Sequence, residues 1–415
     1  MEKTDKKINR FIKVYPFHAG LTADLLFYIA IDTLFLKLVK GFTPAEIVSL
    51  NAISQLVCIL LQFPLLLVIK KIGNTASIRT GSTCLLLSAL LITFGNGYAM
   101  VLIGRVFHDV AGILKTAETV ALENNLDLVG RRRDFVRIRT RANTVYSVIT
   151  MIISFVASLM FNLNHYFPMI CCIMTCFTGF VLSMIMKDNS DYNKIDRKKL
   201  NRSRAKIRLS KLIVLTIVSY AVYYSLVSSA QSEGKLFIQE NLLLDFNEDN
   251  TALILGAIVC ISRIIRVASN VVFAKLYEKY QAKTGIVLPV MLCMSTVFLF
   301  AGSFIPYTVL KYVVMGLGYS IILFARDPFR LFIQDAVIQN TPKEQHQTLL
   351  TVLAFGVKIV TAGMGLSFSA ILLSFPMSLV IGIMIAVAVV EIVLSVFLYR
   401  QIMIGRKNAE LPSEA

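Results

Sequence analysis

Charge is what this sequence has least of. Asp, Glu, Lys and Arg together make up 16% of 415 residues, with 25 acids against 42 bases. Such a chain cannot cover a globular surface with polar groups, which excludes an ordinary soluble domain. Tryptophan is absent, and the four histidines (His18, His108, His165 and His346) are widely scattered. No loop sets a nucleophile, a base or metal ligands at a working spacing, so no enzyme, no metal and no cofactor is expected. No G-x-x-x-x-G-K-[ST] run occurs and no soluble stretch could hold a nucleotide, which excludes an ATP-driven engine. The seven cysteines (Cys58, Cys84, Cys171, Cys172, Cys176, Cys260 and Cys293) all fall in apolar runs and read as small buried hydrophobes. No cleavable leader is expected, because the first apolar segment runs directly into further ones.

What the chain has is apolar length. Hydrophobic residues make up 56% of it and mean hydropathy is +0.70. Stretches of about 20 apolar residues, each enough to cross a ~30 Å hydrocarbon core, recur throughout. Twelve spans are predicted: 18–39, 45–69, 80–94, 100–122, 143–161, 167–186, 212–229, 252–274, 285–304, 309–323, 349–373 and 377–398. The longest interruption, Lys187 to Lys211, carries ten Lys and Arg and divides two blocks of nearly equal length. The expected organisation is an N-terminal six-helix bundle (1–186), a basic linker (187–211), a C-terminal six-helix bundle (212–402) and a tail (403–415). The predicted fold is therefore all-α, an integral membrane protein of two pseudo-symmetric bundles. The net charge of +17 would suggest nucleic acid in a soluble protein. Here the bases sit between spans without a docking motif, so the positive-inside rule explains them and no nucleic acid is expected. Most Lys and Arg fall on one side, with Lys37, Lys40, Lys235 and Lys311 on the other. Both termini are thus placed in the cytoplasm of a multi-pass plasma-membrane protein.

The two blocks also correspond internally. An offset of 208 residues sets LLVIKKIGNTASIR, from Leu66, opposite AKLYEKYQAKTGIV, from Ala274, and Arg139-Thr140 opposite Gln347-Thr348. Repeated bundles with a site at mid-membrane are a transporter arrangement. These two loops resemble the G-x-x-x-D-R-x-G-R-R signature of the major facilitator superfamily. In the second copy Ala274 stands for the first glycine, Glu278 and Lys279 for Asp-Arg, and Lys283 closes the motif. In the first, Leu66 replaces the glycine and Lys70 the aspartate, while Lys71 and Gly73 fit. Arg105 and Gly112 resemble the family's arginine and glycine in the fourth span, with His108-Asp109 inserted. The resemblance, over nearly the whole chain, implies twelve helices, alternating access, and gating by Lys70, Lys71, Gly73, Glu278, Lys279 and Lys283.

Ionisable residues inside apolar spans are costly and usually face a cavity or a partner. Asp24, Tyr28 and Asp32 are spaced to share one face of the first span. Arg105 and Asp109 are spaced for an intrahelical pair, as are Lys115 and Glu118. Arg263 and Arg266 share a face of the eighth span and need acids from elsewhere or an anion, and Lys358 adds a third base. Among acids of the second half, Glu391 alone is expected at comparable depth. Pairing of these bases with Asp24, Asp32 and Asp109 would satisfy both sets equally well. Tyr220 and Tyr224 lie one turn apart on the seventh span, as packing or as substrate contact. Pro328 should break the tenth span, leaving Arg326, Asp327 and Arg330 at its end.

The function expected is secondary active transport of a small organic solute, anionic or zwitterionic, coupled to protons. The substrate, protons and lipid are the expected partners, and the protein is expected to be a monomer. A proton-driven multidrug efflux antiporter is the alternative within this class, and a non-transporting sensor on the same fold is the alternative outside it.

Overall fold

The computed structural model describes residues 2–189, 211–280, 283–340 and 343–410. They are helical nearly throughout, and fourteen α-helices follow in order. α1 is Glu2–Leu21, α2 Tyr28–Leu34 with a π-helical turn at Phe35–Val39, α3 Pro44–Ile72, α4 Asn74–Phe94, α5 Gly97–Leu114, α6 Thr116–Leu128 and α7 Phe135–Leu163. α8 is Phe167–Ile185, α9 Lys211–Asp245, α10 Glu248–Tyr280, α11 Thr284–Gly302, α12 Thr308–Asn340, α13 Lys343–Leu372 and α14 Met377–Glu410. Eleven helical stretches among the described residues are long and apolar enough to cross a membrane.

The predicted first span does not form a single helix, and the predicted fourth, 100–122, is divided between α5 and α6 at Lys115. The chain leaves α1 at Leu21 and resumes in α2 at Tyr28. Asp24 therefore does not continue the helical face of Tyr28 and Asp32 as the spacing predicts. Its short carboxylate accepts from the next backbone N–H, Leu25 N, at 2.8 Å, a local bond that competes with the helical ladder. The freed backbone finds other partners: Thr22 Oγ1 donates to His18 O at 2.7 Å, and the Lys115 ammonium donates to Thr22 O. A break at membrane depth is tolerated only where such partners exist.

Helix ends elsewhere follow local chemistry. Thr43 and Glu46 form a reciprocal cap with Pro44 at the first turn of α3, which a T-P-A-E run dictates. The chain reverses at Gly95-Asn96-Gly97 between α4 and α5. A Cβ on Gly95 would stand 2.3 Å from Leu91 O, and Gly97 has φ +74°, so both positions need glycine. Lys40 Nζ donates to Thr93 O and Gly95 O at 2.8 and 2.9 Å, satisfying the end of α4. Burial holds that ammonium below the ordinary lysine pKa.

Several predicted connections are helical instead. α12 runs unbroken through Pro328 to Asn340, where a break is predicted. Tyr223 Oη donates to Ala325 O at 3.0 Å, a side-chain bond one turn before the proline, which has no N–H to give. Similarly, the stretch from Gln231 to Asp245 continues α9 rather than forming a loop.

The chain divides into two compact units. One holds the described residues to 189 together with Glu248–Cys260, and the other holds 211–247 and the described residues from Ile261 onward. Most of the predicted basic linker, 190–210, lies outside the described residues. In the first unit α5 meets α4 at Gly104, where a Cβ would be 2.8 Å from Ile92 Cγ1. In the second, α12 meets α11 at Gly318, where a Cβ would be 2.7 Å from Ser295 O. Small residues at crossings are how membrane helices gain close packing. Large apolar side chains such as Leu60, Phe63, Leu67, Met174 and Phe177 point outward, as lipid contact requires.

Candidate functional site

The break between α1 and α2 assembles a polar cluster in the first unit. His108, on α5, places Nε2 2.9 Å from Asp24 Oδ1, and its Nδ1 lies 3.5 Å from Asp109 Oδ1. One turn earlier on α5, Arg105 Nη2 donates to Asn51 Oδ1 of α3 at 2.6 Å. Its guanidinium also lies 5.9 Å from the centre of the buried Tyr28 ring, within cation–π range. Arg105 Nε, His108 Nδ1 and Asp109 Oδ2 are buried without a hydrogen-bond partner among the described residues. Imidazole between two carboxylates, with a guanidinium beside it, can take up, hold and pass a proton. Asp32 Oδ1 accepts from Thr33 N at 2.7 Å.

The spacing-based pairs resolve differently. Arg105 and Asp109 do not close on each other; the first takes Asn51 and the second approaches His108. Lys115 and Glu118 likewise separate, since Lys115 reaches Thr22 O while buried Glu118 meets His18 Nδ1 at 2.8 Å. Asn51 and His108 are the members of the cluster that sequence reasoning missed. Asp24 and His108 are 84 residues apart, so no spacing links them. The one available signal is a histidine in an apolar span, one turn beyond an arginine.

The second unit holds a basic cluster. Arg266 on α10 grips Asp327 on α12 with two bonds, Nε to Oδ2 at 2.8 Å and Nη2 to Oδ1 at 3.2 Å. Arg330 reaches Asp327 Oδ1 at 4.0 Å. An acid that Arg266 needs is thus supplied by Asp327, from its own unit. Glu391 is fully buried on α14 and accepts from Ser219 Oγ at 2.6 Å and Ser395 Oγ at 3.0 Å. Arg263 is half-buried, with no acidic partner among the described residues, and Lys358 lies half-buried on α13. Tyr220 and Tyr224 stack at 5.3 Å on α9. Arg326, predicted at the end of a span, sits inside α12 with Nη1 donating to Gln231 Oε1 at 2.6 Å and its guanidinium 5.9 Å from the Tyr224 ring.

Of the predicted gating residues, Lys70 and Lys71 are exposed at the end of α3, and Gly73 turns the chain into α4 with φ +83°. Lys283 is exposed at the start of α11. Glu278 and Lys279 are helical in α10, and their side chains lie outside the described residues. No group of three or more potential metal ligands occurs among the described residues.

No protein-family model matches the chain. Multidrug resistance protein 2 of Bacillus subtilis (strain 168) is 27% identical over 186 residues, a match that spans 44% of either chain. Among solved structures, a mutant form of the nucleoside transporter NupG superposes with a TM-score of 0.71 at 9% identity, covering 96% of this chain and 99% of that one. A bacterial homologue of the iron transporter ferroportin, in an inward-facing state, superposes with a TM-score of 0.66 at 12% identity over 96% and 99%. This likeness is one of fold. The chain shares its fold with these membrane transporters.

Proposed function

We propose that this chain, built on the major facilitator fold, is a secondary active transporter that moves a small organic anion or zwitterion by alternating access, coupled to protons. The observation that carries the reading is the helix break at 22–27, which sets Asp24 2.9 Å from His108 with Arg105 and Asp109 on the same helix as the histidine. Discontinuous helices of this kind form the substrate and ion sites of many transporters. In this reading Asp24, His108 and Asp109 carry the proton, Arg105 and Tyr28 hold the cluster, and Asp32 extends it. Arg263, Arg266, Lys358, Tyr220 and Tyr224 belong to the substrate side. The eleven membrane-length stretches, together with the broken first segment, make twelve, in two bundles of six joined by the basic stretch 187–211. Both termini face the cytoplasm of the plasma membrane, the working unit is a monomer, and the loops around Lys70, Lys71, Gly73, Glu278, Lys279 and Lys283 gate the cycle.

The test is proton movement in proteoliposomes carrying a pH-sensitive dye, challenged with pooled organic anions and, separately, with lipophilic cations. Anion-dependent flux that Asp24→Asn and His108→Ala abolish supports the reading. The part-length likeness to a multidrug resistance protein favours a second reading, proton-driven drug efflux. A response to the cations alone would select it. Binding of solutes without movement of any of them would point to a sensor.

A further inference from the structure

The same local device occurs once in each unit. A guanidinium lies 5.9 Å from a tyrosine ring and donates one bond of 2.6 Å to a side-chain amide oxygen: Arg105 with Tyr28 and Asn51, Arg326 with Tyr224 and Gln231. In both, Nε is buried and has no acceptor among the described residues. The two differ in charge. Arg105 has Asp109 one turn along its own helix and also feels Asp24 and Asp32. Arg326 acts electrostatically on its chain neighbour Asp327, which is already engaged by Arg266 and approached by Arg330. Three arginines thus share one carboxylate, and the one whose hydrogen bond goes to a neutral amide is Arg326. A partly buried guanidinium held only by an amide and a ring is a poor device for stability, because its charge is left uncompensated.

We propose that Arg326 is an oxyanion-binding residue: a carboxylate or phosphate group of the ligand takes the Nε edge of its guanidinium as a charge-assisted fork. Gln231 and Tyr224 aim that edge by occupying the opposite nitrogen and one face. Arginine suits this task because its planar donors match two oxygens at once, which lysine cannot do. Tyr220, stacked on Tyr224 and within electrostatic reach of Arg326 and Arg330, supplies the apolar wall beside the charge. The inference deepens the transport reading by naming the group on the solute that the second unit holds. It moves that role from the predicted Arg266, which Asp327 occupies, to Arg326.

The experiment is equilibrium binding to the purified full-length chain in detergent, by ligand-induced thermal shift and calorimetry. Small carboxylates, phosphate monoesters and vesicles containing an anionic lipid are offered separately. The expected result is saturable binding of a soluble carboxylate or phosphate. Arg326→Gln and Arg326→Lys should each weaken it about tenfold or more, as loss of a charge-assisted bond implies. Gln231→Glu tests the same idea without removing the arginine. It supplies an internal carboxylate to Arg326, so it should block the anion while leaving thermal stability unchanged or higher. Binding by Gln231→Glu at wild-type strength would overturn the proposal. So would binding that only the lipid vesicles show, or that Arg326→Gln leaves intact. Because the assay needs no proton movement, anion binding in a chain that drives no flux would refute the coupling reading and leave this one standing.

Discussion

At the residue scale, the structure turns on which carboxylate meets which base. Asp327 is 9% exposed at its side chain and stands between Arg266 and Arg330. Asp327→Asn should therefore destabilise the second unit. Breaking a buried pair costs about 3–5 kcal/mol, and the partial exposure of Arg266 reduces this to roughly 2–3 kcal/mol. Chemical denaturation in detergent measures it, and Arg266→Gln in the same background should recover part of the loss. An additive pair of losses would mean that the two residues do not interact. Much of this chemistry was legible from sequence, because a charge inside an apolar run stands out. Asp24, Tyr28, Arg105 and Asp109 were all marked in that way. Their partners were not. Asn51 is a neutral amide that spacing cannot distinguish from bundle filling. His108 meets an acid 84 residues away, and only the folded chain brings them together. A proline two residues on makes Arg326 read as a helix end, whereas α12 continues through Pro328 to Asn340.

At the element scale, the break at 22–27 and the glycine crossings are what position the clusters. Lys115 reaches from the end of α5 to Thr22 O and answers a carbonyl that the interrupted helix leaves open. Lys115→Met keeps the apolar stem and removes the donor. It should cost about 1–3 kcal/mol, the penalty for orphaning a buried polar group. It should also raise hydrogen exchange at residues 22–28 more than in α4 or α8, and uniform exchange across the unit would count against this role. The two glycine crossings give a second, graded test. At Gly318 a new Cβ meets backbone, Ser295 O at 2.7 Å and Leu299 N at 3.0 Å, and backbone cannot rotate away. At Gly104 its nearest atom is Ile92 Cγ1 at 2.8 Å, which a rotamer change can move. Gly318→Ala should lose about 1–3 kcal/mol through overpacking, and Gly104→Ala less. Melting temperatures of the two variants decide the order. Neither the crossings nor the break announces itself in sequence. Glycine is common in membrane helices, and the residues from Thr22 to Phe27 contain neither glycine nor proline.

At the scale of the whole molecule, the count of crossings is an argument about parity. Eleven crossings would leave the two termini on opposite faces of the membrane. The segment outside those eleven is the first, and α1 and α2 with its π turn still carry a chain of buried apolar residues from Ile8 to Leu36. If that broken segment crosses, the total is even and both ends lie on one face. The distribution of lysine and arginine is what an even number of crossings would give, because the bases that flank α3 to α4 and α6 to α7 fall on alternate loops. The two lines of reasoning are independent, one resting on helix geometry and the other on charge. Single cysteines placed at Lys6 and near Arg400, in a background with the seven native cysteines replaced, can be labelled from outside intact cells with a membrane-impermeant maleimide. Neither should react until the membrane is opened. Labelling of one terminus and not the other would mean that the break at Asp24 is a re-entrant turn rather than part of a span. The charged cluster around His108 would then open to one side of the membrane only, which alternating access does not permit.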